Sequence, residues 1–164
     1  MASMYTDALS FLEDERDAWR PYEALSQLSD EELERPVEGA HGWSGRDLMG
    51  HLVHWQILGL DVAKELAVNE TSAVKTAADE DFATRGDVAV NAEVDALWRV
   101  KSVAEVRQDF ASVAGELRGF LTVVPETRWV KNADMQTFFV EETLEHYDEH
   151  RPELAAILAA AGRS

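Results

Sequence analysis

SGRDLMGHLVHWQILGLDVAKEL, residues 44–66, carries a clear helical period. Leu48, Leu52, Trp55, Gly59, Val62 and Leu66 recur every three or four residues, which aligns them along one side of an α-helix. Ser44 stands where a helix N-cap belongs, and Asp47 is placed three residues on to close a capping box. At about 100° per residue, His51 falls close to the centre of the apolar stripe and His54 at its edge. The pattern therefore turns His51 inward and leaves His54 at the boundary.

The flanking segments read the same way. Before it, Ala8, Phe11, Leu12, Trp19, Tyr22, Leu25 and Leu28 mark a first helix over about 7–28, with Pro21 as a kink or break point. Ser29 and Glu32 predict a second capping box and a short helix, followed by the turn-rich RPVEGAHGW. After it, residues 68–100 are polar, acidic and weakly patterned, with room for one short helix over 91–98. A connection of that length is expected to be a crossover or part of a site. Ser102 and Glu105 open the next helix, which carries Val106, Phe110, Val113, Leu117 and Leu121 and stops at Pro125. The last helix starts near Asp134 and holds Phe138, Phe139, Thr143, His146, Tyr147, His150, Leu154 and Ile157, with Pro152 as a further kink point. No strand alternation competes. The expected fold is all-α: a four-helix bundle with a long crossover between helices 2 and 3, one domain over residues 1–164.

Composition narrows the chemistry. The chain has 164 residues, 46% of them apolar, and no cysteine. Disulfides, zinc–thiolate sites and a cysteine nucleophile are excluded, so a metal must sit on nitrogen and oxygen. A formal charge of −17 repels phosphate backbones and anionic lipid. Nucleic acid and membrane are therefore not expected partners. With no signal peptide or membrane-length apolar run to be read, a cytoplasmic location is expected.

Five histidines carry most of the chemical interest: His41, His51, His54, His146 and His150. His146 and His150 are four apart and share a helix face, a spacing that places two imidazoles on one ion. Glu142 lies one turn earlier on that face. A third ligand must come from elsewhere, and His51 is the inward-facing candidate. Three nitrogen ligands leave positions open for water or substrate, as catalytic sites do, and they suit zinc, nickel or iron(II). A plainer reading stands beside this one. Two histidines on a helix often bind nothing, and His51 at a core edge can hydrogen-bond Asp47 one turn back. His41 sits in a glycine-rich loop and reads as exposed. Trp43, Trp55, Trp98 and Trp129 read as core. There is no G-x-S-x-G nucleophile elbow and no glycine-rich phosphate loop.

GWSGRDLMGHLVHW resembles the second-helix signature of the DinB-like superfamily, which includes YfiT-like hydrolases and the N-terminal domain of mycothiol-dependent maleylpyruvate isomerases. The matching residues are Trp43, Ser44, Arg46, Asp47, His51, Leu52 and Trp55. ETLEHYDEHRPEL is similar to the family's closing motif, with His146 and His150 four apart. The order of LSDEEL, long connection and VPETRW also fits. The resemblance implies a four-helix bundle, a zinc or nickel ion on His51, His146 and His150, frequent homodimers, and in some members a low-molecular-weight thiol such as mycothiol or bacillithiol as co-substrate. The isomerases' extra C-terminal domain has no counterpart here, which points away from the isomerase reaction itself.

The expected function is a divalent-metal-binding, thiol-dependent transferase or detoxification enzyme acting on a small molecule. Asp47, His54 and Glu142 are candidates for orienting ligands or moving protons. Two alternatives remain open: a hydrolase using metal-bound water, and a non-enzymatic small-molecule-binding or resistance module.

Overall fold

The computed structural model describes residues 4–163, and among these there is no β-strand. Nor is any described helix long and apolar enough to cross a membrane. α1 spans Ala8–Trp19, with the Asp7 side chain accepting from the Ser10 amide. It ends sooner than its apolar spacing suggests. Pro21 stands in the first turn of a separate 3-10 segment, Arg20–Gln27, where a missing N–H costs nothing. α2, Asp30–Glu34, and α3, Gly45–Val68, each begin with the capping box expected, on Ser29 with Glu32 and on Ser44 with Asp47.

The 68–100 stretch is where sequence and structure differ. It is a helix, α4, spanning Ala73–Arg99 and broken only at Gly86, which adopts φ 80° and ψ 162°. That left-handed φ is open to glycine at no steric cost. Beyond the break, Val90, Val94 and Trp98 are buried, four apart; before it, no residue is buried. The outer half carries ion pairs one turn apart instead, Lys75 with Asp79 and Arg85 with Asp81, both at 2.7 Å. α5, Val103–Val123, opens with the Ser102–Glu105 box.

The last helical stretch is composite. α6, Ala133–Val140, runs into one π-helical turn, Glu141–Glu145, then α7, His146–Glu149. His150 leaves helical geometry, and α8, Arg151–Ala160, restarts with Pro152 in its first turn. Pro152 thus ends one helix and begins another.

α3 is the central element and packs chiefly against α5 and α4. Gly50 lets α3 lie close to α4, where an added Cβ would stand 2.9 Å from that of Trp98. Two arginines tie helix ends. Arg46 donates to the carbonyls of Trp98 and Lys101, and Arg128 donates to that of Leu66 at 3.0 Å.

Candidate metal centre

Three segments meet at one end of α3. His51 comes from its second turn, His146 opens α7, and His150 sits at the break before α8. One ring nitrogen from each lies within 4.8 Å of the others, so the set can hold a metal ion. The Nε2 atoms of His51 and His146 face each other at 2.9 Å. The three rings pack edge to face, with centroids 4.7–4.8 Å apart.

The π turn explains how the chain manages this. Glu142, His146 and His150 repeat every four residues, as do Phe139, Thr143 and Tyr147. In a regular α-helix of 3.6 residues per turn, a four-residue repeat drifts about 40° at each step. The wider turn at Glu141–Glu145 takes up that drift. Phe139, Thr143 and Tyr147 accordingly all stay fully buried, while Glu142, His146 and His150 all line one cavity. Thr143 is part of the core and donates its hydroxyl to the Phe139 carbonyl at 2.6 Å.

Electrostatics favour neutral imidazoles. Burial, reinforced by repulsion between the rings, holds His51 down to about 3 and His146 down to about 2. Neutral rings present lone pairs, which a cation requires. The Nδ1 atoms of His51 and His146 are buried and have no hydrogen-bond partner among the described residues. The carboxylate nearest that of His51 is Asp95, 3.8 Å away on α4. The alternative bond from His51 to Asp47 is absent: Asp47 accepts from the Ser44 amide at 2.9 Å and lies 3.5 Å from Arg99. Glu153 lies 3.4 Å from His150 Nδ1 and 3.5 Å from His41 Nε2. Burial balanced against Arg99 raises the Asp95 carboxyl above its ordinary value.

The histidines open into a cavity of about 490 Å³. Trp43, Trp55 and Phe82 contribute its apolar surface, and Trp43 packs on both His51 and His150, with centroids 5.0 and 5.5 Å away. Glu142 lines the cavity and has no hydrogen-bond partner among the described residues. Burial first, then the neighbouring Glu141 and Asp79 carboxylates, push it up to about 8. His41 is an exposed residue in the left-handed region that also reaches the cavity.

Two residues proposed from sequence lie elsewhere. His54 is half-buried and accepts from the Trp98 indole at 3.1 Å, outside the cavity. Asp47 caps α3. Conversely, Asp95, Glu153, Trp43 and Phe82 escape a reading from sequence. Glu153 had a signal, standing one turn after His150. Asp95 and Phe82 lie in a stretch whose pattern reads as a connection, and Trp43 reads as core.

An all-α protein with a three-histidine cluster at the floor of an open cavity is thus defined. Residues 12–144 match the family model described as mycothiol maleylpyruvate isomerase N-terminal domain, and the chain belongs to that family. The matched span includes His51 and Glu142 and ends two residues before His146. Comparison with curated proteins and with solved structures gives no significant match.

Proposed function

We propose that the protein is a metal-dependent enzyme that transfers or conjugates a thiol to a small molecule, with a divalent ion held by His51, His146 and His150. The observation that carries this reading is the convergence of three nitrogen donors, with the Nε2 atoms of buried His51 and half-buried His146 2.9 Å apart, on the floor of a cavity. The donor set fits zinc or nickel, and the lack of cysteine leaves no thiolate in the chain to compete. When bound, such an ion lowers the pKa of a coordinated thiol or water and so makes a nucleophile at neutral pH.

The chain's own residues do the rest. Asp95 and Glu153 stand behind His51 and His150 and favour the tautomers that turn Nε2 toward the cluster. Trp43 covers two of the imidazoles and limits water there. Glu142, with its carboxyl near 8, holds or accepts a proton at neutral pH four residues from His146. The family description, which names mycothiol, supports a thiol co-substrate, and the net charge of −17 supports a small molecule over a nucleic acid.

The test is elemental analysis beside turnover. Purified protein should carry one divalent ion per chain, and His51→Ala and His146→Ala should lose it. Consumption of an electrophile should depend on added mycothiol. Unchanged metal content in both variants would sink the reading. Turnover without thiol would favour the runner-up, in which Glu142 takes a proton from metal-bound water in a hydrolysis.

A further inference from the structure

The cavity over the histidines is one-sided in charge. Asp87, Glu141, Glu142, Glu149 and Glu153 line it, and no lysine or arginine does among the described residues. A divalent ion on the histidines cancels two of those five charges and a proton on Glu142 a third, which leaves the cavity negative. Asp87, Glu141 and Glu149 are exposed at the rim.

Carboxylates alone do not make a site, but the cavity contains more. Trp55 and Phe82 pack at 5.4 Å with their planes 43° apart, and Trp43 adds a third ring. Aromatic faces attract cations and bury apolar groups. The three histidines line the same cavity, with the Nε2 atoms of His51 and His146 2.9 Å apart.

We propose that this cavity selects an organic ammonium, a positively charged nitrogen on an apolar or aromatic body, and rejects carboxylates. The inference deepens the proposed function and rests on it only in taking this cavity as the substrate site. A concave wall of one charge sign concentrates the opposite charge. A carboxylate ligand meets like charge with no lysine or arginine to pair it, which is selection by repulsion as much as by attraction. Maleylpyruvate, the compound in the family's description, is a dicarboxylate and fits this wall poorly.

Tryptamine and indole-3-propionate test this, because they share a ring and differ in the charge at the end of the chain. Calorimetric titration of the full-length, zinc-loaded protein should give a Kd at least about tenfold lower for tryptamine, narrowing as salt is raised. The double variant Asp87→Asn/Glu149→Gln, at the exposed rim, should narrow the ratio by about threefold or more. Absent tryptamine binding, equal or tighter binding of indole-3-propionate, or a ratio unmoved in the variant would each overturn the proposal. Metal content measured on the same samples separates the two readings. A cation preference in protein that takes up no metal overturns the metal centre and leaves the substrate class standing. Full metal content with no preference overturns the substrate class alone.

Discussion

The hydroxyl of Tyr147 donates to Glu15 at 2.9 Å, joining the residue beside His146 to α1 through the core. Arg118 on α5 donates to the same carboxylate at 2.8 Å, Gln56 on α3 donates to the Tyr147 oxygen at 2.9 Å, and Tyr22 donates to the Tyr147 carbonyl. Burial raises the Glu15 carboxyl against the pull of Arg118, and it drives the Tyr147 phenol upward too. Four helical segments are therefore tied to the peptide that carries a candidate ligand.

Tyr147→Phe should lower stability by about 1–3 kcal/mol, since it keeps the ring but removes one of the two donors to the buried Glu15 carboxylate and the acceptor of the Gln56 amide. Urea unfolding checks this: the midpoint should fall with the slope unchanged. A midpoint equal to wild type would mean the network contributes nothing.

Glu142 on one side, and His51 and His146 on the other, give stability opposite pH slopes. The folded protein holds the Glu142 proton from the ordinary value of 4.5 up to about 8. It binds more protons than the unfolded chain there, so stability falls as pH rises through that window. His51 and His146 are depressed from 6.5, to about 3 and about 2, so the folded state binds fewer protons and acid destabilises it below 6.5. For metal-free protein these three groups place the maximum near pH 6.5, and Glu142→Gln should abolish the decline toward pH 8. Unfolding free energies measured from pH 4 to 9 in both proteins decide it. A decline of equal size in the variant would rule Glu142 out as its source.

His54→Ala should retain wild-type metal content while losing about 1–2 kcal/mol, because the Trp98 indole N–H loses its acceptor. Metal analysis beside thermal melting separates this from His146→Ala. Loss of the ion on changing His54 would place that residue in the centre after all.

Two glycines of α3 should respond in opposite directions. Alanine at Gly50 meets the Cβ of Trp98 at 2.9 Å and should cost about 1–3 kcal/mol. Alanine at Gly59 meets Leu117 at an ordinary 3.6 Å and should stabilise by about 0.4–1 kcal/mol. Melting temperatures of the two variants should move to either side of wild type, and shifts of the same sign would contradict the packing described here.

The capped helices could be read from sequence because a capping box is local: Ser29, Ser44 and Ser102 each announce a start within four residues. α4 escaped because its first half buries nothing, so no apolar stripe exists there. Its one-turn ion pairs, Lys75 with Asp79 and Asp81 with Arg85, were the available signal. Inward placement of His51 followed from periodicity, and the structure leaves it 5% exposed. Asp95 and Glu153 act from separate helices, and their approach to His51 and His150 depends on how α4 and α8 pack. The π turn has no residue signature; only the repeated four-residue spacing of Glu142, His146 and His150 hints at it.

In genetic terms, that turn makes the cluster sensitive to a single codon. Deleting one residue from within Glu141–Glu145 removes no ligand and leaves every histidine in the chain. It would let the segment close into a regular α-helix, in which all that follows rotates by about 100° relative to α6. Tyr147 would leave the core and the two histidines would turn from His51 together. An in-frame loss of three nucleotides would thus disable the centre as completely as replacing a ligand, while an alignment of the histidines alone would show nothing missing.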